Sequence, residues 1–189
     1  MKLIAGAVTP VEVTGAAEST LDVTEIYQIH GKTVARWATR LGGPNFDAEE
    51  AVQEVFAVVQ ERLKDFRGEA KLTTWLYRIT ENVVRNQRRR ERFGRWLSWR
   101  GEELAPRLIS PRIEPVEALE RLQASAEVYQ VLNKMREPYR AALILYEMED
   151  LSGAQIAELK GVKLATVWVW LHRARAQFLD RMTKLRRAQ

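Results

Sequence analysis

At 189 residues the chain is long enough for one ordinary domain or two small ones, and 46% hydrophobic residues is a globular composition rather than a disordered one. Thirty Lys+Arg against 25 Asp+Glu leave a formal charge of +5, which favours an acidic partner such as nucleic acid. Cysteine is absent, so disulfides, Cys-based zinc sites and cysteine nucleophiles are excluded, in keeping with a reducing cytoplasm.

Residues 1–22 read as a loose N-terminal tail. The apolar stretch of "MKLIAGAVTPVEV" is too short for the core of a signal peptide, and no run approaches the roughly 20 apolar residues that span a bilayer, so no membrane insertion is expected. Residues 23–93 carry helical periods. The first helix, Val23 to Leu41, places Ile26, Ile29 or His30, Val34, Trp37 and Leu41 on one side, and "GGP" at Gly42 to Pro44 stops it. The second opens at Asp47 with Glu50 in capping-box register. Val52, Val55, Phe56, Val59 and Leu63 form its apolar stripe, leaving Glu49, Gln53, Glu54 and Glu61 outside.

After a loop around Gly68, a third helix starts near Thr73 or Thr74, buries Leu76, Ile79 and Val83, and ends in "RNQRRRER". Arg85, Arg88, Arg89, Arg90 and Arg92 crowd its end, opposed only by Glu91. Trp75, Tyr77, Arg78, Asn82 and Asn86 lie upstream. Aromatic faces and amides interleaved with arginines suit single-stranded nucleic acid, where bases stack on rings and phosphates follow cations. A solvated charged face is the plainer reading of the same run.

Residues 94–115 hold three prolines and no sustained helical period, and read as a flexible linker made greasy by Trp96, Leu97, Trp99, Leu104, Leu108 and Ile109. Residues 116–189 return to helices. Val116 to Met135 places Leu119, Leu122, Ala126, Tyr129 and Leu132 or Val131 at helical spacing, and Pro138 starts the next helix with Ala141, Leu145 and Met148 inside.

From Leu151 onward the pattern is a helix-turn-helix. Ser152 caps a short helix with Gln155 in capping-box position, Ile156 and Leu159 face inward, Ala157 allows close crossing, Gly161 makes the turn and Val162 plugs it. Lys160 stands where such motifs usually carry an apolar residue. The following helix, from about Ala165, places Leu164, Val167, Leu171, Ala174, Phe178 and Met182 on its buried stripe, with Trp168 at the edge. Thr166, Val169, Trp170, His172 and Arg173 point outward, toward a DNA major groove if the motif is a reader. An ordinary corner between two packed helices is the alternative.

Catalytic patterns are missing from the sequence. There is no H-E-x-x-H, phosphate-binding glycine loop or G-x-S-x-G, and His30 and His172 are the only histidines, so neither catalysis, nor a metal, nor a cofactor is expected. The whole is read as all-α, with two small helical domains.

"DAEEAVQEVF" (Asp47 to Phe56), "DFRGEAKLTTWLYRITENVVRNQRRR" (Asp65 to Arg90) and "MEDLSGAQIAELKGVKLATVWVWLHRARAQF" (Met148 to Phe178) resemble, in order and spacing, the bacterial extracytoplasmic-function sigma factors. The resemblance implies a region 2-like domain, a linker and a region 4-like domain. Their implied partners are core RNA polymerase, through the β′ clamp helices and the β subunit, promoter DNA, and an anti-sigma factor. It carries core-polymerase binding onto Asp47, Glu50, Gln53, Glu54 and Phe56. Onto Phe66, Ala70, Lys71, Leu72 and Thr73 it carries a pocket for a flipped minus-ten base, and onto Arg78, Asn82, Asn86 and Arg89 the adjoining minus-ten DNA. The minus-thirty-five element falls to Thr166, Trp168, Val169, Trp170, His172 and Arg173.

The chain departs from the family at Trp168, Val169 and Trp170, where members commonly carry a basic residue, a serine and an arginine. Valine can touch only a thymine methyl, and tryptophan packs on sugar or backbone. Either apolar contacts join Arg173 and His172 in reading DNA, or Trp170 anchors an anti-sigma protein. Arg85 also replaces a residue often acidic, and the linker is less acidic than usual. Two rival classes stay open on residues alone: a stand-alone helix-turn-helix regulator that binds duplex unaided, and an RNA-binding protein built on the arginine helix.

Overall fold

The computed structural model describes residues 22–98 and 125–188. The tail before residue 22, the linker residues Trp99, Leu104, Leu108 and Ile109, and the expected core residues Leu119 and Leu122 lie outside the described residues.

The N-terminal bundle is built from α1 (Val23–Gly42), α2 (Ala48–Arg62), a 3-10 turn (Leu63–Asp65) and α3 (Leu72–Ser98). In α1 the expected stripe is buried at Ile26, Val34, Trp37 and Leu41, and half-buried His30 occupies the ambiguous position while Ile29 is left exposed. The GGP corner works by close approach. Gly43 adopts φ 105° and donates its N–H to Thr39 O at 2.8 Å, and a Cβ on Gly42 would collide with the Phe46 ring. Asp47 then caps α2, its carboxylate accepting from Glu50 N at 2.9 Å, a contact worth about 1 kcal/mol.

α3 runs to Ser98, beyond the end expected near Phe93. It is buried over a wider arc than a single amphipathic stripe: Leu76, Ile79 and Val83 are inside, and so are Tyr77, Thr80, Val84, Gln87 and Arg88. The cause is packing on more than one side, since α1, α2 and the C-terminal half all touch it. Tyr77 is thereby corrected from a stacking face to a core residue. It is fully buried and meets Trp37 edge-to-face, with centroids 5.3 Å apart and planes at 90°.

The C-terminal bundle comprises α4 (helical at 125–132), α5 (Glu137–Glu147, Pro138 in its first turn), α6 (Gly153–Lys160) and α7 (Leu164–Arg187). Tyr129, Val131, Leu132 and Met135 are buried, whereas Ala126, expected inside, is exposed. The helix-turn-helix forms as read. Ser152 and Gln155 make both capping-box bonds, and Gly161 sits in the left-handed region at φ 64°, with Val162 N donating back to Ala157 O at 3.0 Å.

On α7 the buried stripe is Val167, Leu171 and Ala174, and Leu164, placed inside from the sequence, is the first residue of the helix and is 44% exposed. Recentred on those three residues, and at 100° per residue, the stripe brings Trp170 to about 70° from its middle and Trp168 to about 90°. The two tryptophans therefore exchange roles. Trp170 is half-buried and packs on the core, and Trp168 is 47% exposed. The two bundles share one continuous apolar core.

Candidate nucleic-acid interface

Three surfaces collect the residues singled out from the sequence. On the first, Glu50 and Gln53 are exposed on α2, beside a groove of about 430 Å³ between α1 and α2 lined by Val23, Tyr27, Glu49, Val52, Gln53 and Phe56. Phe56 is not an outward side chain: it is 9% exposed and forms the groove floor, with Tyr27 edge-on at 4.8 Å. Half-buried Glu54 accepts a hydrogen bond from Gln87 at 2.8 Å and lies 4.0 Å from Arg90, so it ties α2 to α3. Asp47 serves first as the α2 cap.

The second surface starts at the loop before α3. Phe66 is half-buried and tilted against Trp75, with centroids 5.0 Å apart, next to a hollow of about 490 Å³ lined by Glu61, Arg62, Lys64, Asp65 and Trp75. Ala70, Leu72 and Thr73 are half-buried around the start of the helix. Along α3, Arg78, Asn82, Arg85, Asn86 and Arg89 are all exposed and follow helical spacing on one face. Arg85 donates to Asn82 Oδ1 at 2.6 Å, orienting the amide. Of the arginine block, Arg88 is not on this face. It is buried, donating to Asn133 at 2.7 Å with Glu137 at 3.6 Å.

The third surface is the outer face of α7. Trp168 lies over Gly153 and edge-on to Tyr146 at 6.2 Å, Val169 is 47% exposed, and His172 is exposed. Thr166 is half-buried, and Arg173 is tethered by a hydrogen bond to Tyr139 OH at 3.2 Å. Two exposed side chains of this face are thus apolar.

Sequence reasoning missed the contacts that join the bundles. Tyr129 OH donates to Arg40 O at 3.0 Å, and the fully buried Arg140 donates to Leu41 O at 2.6 Å, both satisfying carbonyls at the end of α1. Burial, and then the like charge of Arg88, lower the Arg140 guanidinium to about 10. Glu149 pairs with Arg36 and Arg40, each at 2.9 Å. Glu81 on α3 accepts from Tyr77 OH at 3.4 Å and pairs with Lys160, both partners of that pair being 13% exposed. Burial, with the carboxylate of Glu81 beside it, holds the Tyr77 phenol well above its usual range and so protonated. The signals were present in the sequence, as a lysine at an apolar position of the motif and an arginine inside the apolar run "YRAALILY", but neither names its partner.

Among the described residues no three His, Cys, Asp or Glu side chains gather as a metal site would require, and no helix is long and apolar enough to cross a membrane. What the surfaces do offer is an acidic face beside a groove, a cationic helix with the Phe66–Trp75 ring pair and a largely charged hollow at its start, and a helix-turn-helix.

Residues 26–94 match the Sigma-70 region 2 family, and residues 125–178 match Sigma-70, region 4. The chain is 30% identical to the ECF RNA polymerase sigma-E factor of Haemophilus influenzae, over 80% of its own length and 82% of that protein. It is 31% identical to the ECF RNA polymerase sigma factor SigE of Mycolicibacterium smegmatis, over 85% of its length and 61% of that longer relative. In three dimensions it resembles the sigma factor RpoE of Bartonella quintana, solved with the anti-sigma factor NepR, at a TM-score of 0.56 and 21% identity, covering 85% of this chain and 96% of that one. The chain belongs to the extracytoplasmic-function RNA polymerase sigma factors.

Proposed function

We propose that the chain binds core RNA polymerase through α2 and the adjoining groove, opens the minus-ten element on α3, and reads the minus-thirty-five element with α7. The observation that carries this reading is the single exposed face formed by Arg78, Asn82, Asn86 and Arg89, which begins beside the Phe66–Trp75 pair. Guanidinium groups neutralise the phosphates of a separated strand, the amides offer hydrogen bonds to base edges, and the Phe66–Trp75 ring pair takes a base out of the stack. Melting is driven by capture: contacts to unstacked bases offset the few kcal/mol that extrusion costs. Ala70, Lys71, Leu72 and Thr73 lead from the loop into the start of α3, and they are assigned to the same flipped base.

Toward the polymerase, Asp47, Glu50, Gln53 and Glu54 supply an acidic rim and Phe56 an apolar floor for the β′ clamp helices. The chain contributes no catalysis of its own, needs no cofactor, and works in the cytoplasm, where the polymerase is. On α7, Val169 and Trp168 give an apolar reading of the major groove, with Thr166, His172 and Arg173 around them. An anti-sigma factor is the expected antagonist of these surfaces.

Trp168 and Trp170 separate the DNA role from the structural one. Trp168→Ala is expected to lower promoter binding by the holoenzyme while the unfolding midpoint stays put. Trp170→Ala should cost about 1–3 kcal/mol of stability, because it removes a half-buried side chain from the core. Footprinting the minus-thirty-five region together with urea melts checks both. Equal footprints for Trp168→Ala and wild type would remove Trp168 from the DNA contact.

A further inference from the structure

The first two turns of α7 lack the side chains that tell most bases apart. From Leu164 to Leu171 there is no Arg, Lys, Asn, Gln, Asp or Glu, the groups that read guanine, adenine or cytosine by hydrogen bonds in the major groove. These are the turns of a recognition helix that reach base edges. Their polar side-chain groups are the Thr166 hydroxyl and the indole N–H groups of Trp168 and Trp170, and Thr166 and Trp170 are half-buried. What the face offers instead is apolar carbon. Ala165 is exposed, and Trp168 and Val169 are each 47% exposed. At 100° per residue, Ala165, Val169 and His172 fall within about 60° of one another, with Trp168 about 60° to one side of Ala165. Exposed Lys163 before this face and exposed His172 and Arg173 after it suit the flanking phosphates.

Trp168 is also fixed in place. Its ring lies over Gly153 in the first turn of α6, where a Cβ would stand 2.9 Å from Cζ2 of the indole and 3.1 Å from Cδ1 of Leu164. Gly153 does not adopt a positive φ, so backbone freedom is not its use. The room it leaves is taken by the indole. On another side Tyr146 meets the ring edge-on at 6.2 Å, and the Arg175 guanidinium covers Tyr146 at 5.0 Å while bonded to Glu147 at 2.9 Å.

We propose that α7 reads the C5-methyl groups of pyrimidines in the minus-thirty-five major groove, those of thymine and 5-methylcytosine alike. Val169 and Trp168 make the contact, and Gly153 positions the indole. The inference rests on the assignment of α7 to that element and deepens it. The C5-methyl is the one apolar group that the major groove presents, and covering it with apolar carbon favours binding about fourfold per methyl group. No charged or amide side chain in these turns reads the neighbouring O4 or N4, so the methyl group and not the base carries the preference. Methylation of a cytosine in the element therefore strengthens the promoter.

The test alters the DNA, so folding of the protein does not enter. A fragment transcribed by the reconstituted holoenzyme is resynthesised with deoxyuridine for thymine across the protected minus-thirty-five bases alone, and its binding is measured by competition with the parent fragment. Affinity is expected to fall about fourfold for each contacted methyl group removed. Exchanging one such T·A pair for C·G should weaken binding, and methylating that cytosine at C5 should restore about fourfold. Val169→Ala is expected to bind the parent fragment more weakly and to lose most of its sensitivity to deoxyuridine. Gly153→Ala, an exchange that favours helix, should keep its circular dichroism while its preference for thymine over uracil falls toward one.

Upstream protection with equal affinity for thymine and uracil overturns methyl reading and leaves α7 on the element. Absence of upstream protection removes α7 from the element and takes the inference with it. A loss with uracil that 5-methylcytosine does not repair overturns the claim that the methyl group alone is read. Undiminished discrimination in Gly153→Ala overturns the positioning role of Gly153.

Discussion

Replacing Trp37 by alanine is expected to cost about 3–5 kcal/mol and to shift the urea midpoint of the N-terminal bundle far below that of the parent. Trp37 is 6% exposed in the C-terminal half of α1, and its ring abuts the fully buried Tyr77 edge-to-face. Truncation removes a large transfer term and leaves a cavity that neighbouring helices fill only in part. The edge-to-face pair adds about 0.5–1.5 kcal/mol beyond area. A domain of this size commands only about 5–15 kcal/mol in total, so one substitution consumes a large share. Chemical denaturation followed by circular dichroism checks it, and a midpoint within error of wild type would show that α1 is not a core element.

Phe66→Ala should act in the opposite manner, with a large loss of function and little loss of stability. Phe66 is half-buried, leans on Trp75 and is not part of the apolar core, so its removal exposes little core. A base held on an aromatic face is worth about 1–3 kcal/mol, which converts to roughly a 5- to 150-fold drop in the occupancy of the open promoter complex. Potassium permanganate reactivity of unpaired thymines reads that occupancy directly. The expected signature is weaker reactivity at unchanged affinity for core polymerase. Unaltered reactivity would move the base-holding role away from Phe66.

The contrast between these two aromatic residues shows which parts of the molecule the sequence discloses. Local rules found the elements: the Ser152–Gln155 box, the left-handed Gly161, the Asp47 cap and the Gly42–Gly43 corner each act within a few residues, and each formed as read. Buried stripes were legible wherever one face of a helix meets one neighbour, as in α1. They failed where a helix is covered on several sides. Tyr77 and Arg88 look like binding groups in the sequence because aromatic and cationic residues on a basic helix usually are, and only packing against α1 and the C-terminal half reassigns them.

The same limit hid the contacts between the bundles. Lys160 and Glu81 are 79 residues apart, and Arg140 and Leu41 are 99 apart. No periodicity links such positions. The order of Trp168 and Trp170 was lost for a smaller reason: exposed Leu164 and half-buried Met182 turned the expected stripe around the helix toward Trp168 and away from Trp170.

Of the candidate site, the linear part was legible. Arg78, Asn82, Asn86 and Arg89 share a face because of their spacing alone, and Phe66 lies near them through the short loop before α3. Less legible was that Lys71 and Arg78 are engaged by the chain's own C-terminal domain, and that Phe56 faces into a groove rather than outward.

The most direct measurement is initiation itself. Purified chain would be combined with bacterial core RNA polymerase on a pool of promoter fragments, and transcripts and permanganate-reactive thymines mapped together. Selective transcripts are expected from a subset of fragments, each with unpaired thymines just upstream of its start, and only when both components are present. A chain that does not associate with core polymerase, or that associates and leaves every duplex closed, would contradict the assignment of α2 to the polymerase and α3 to the opened strand.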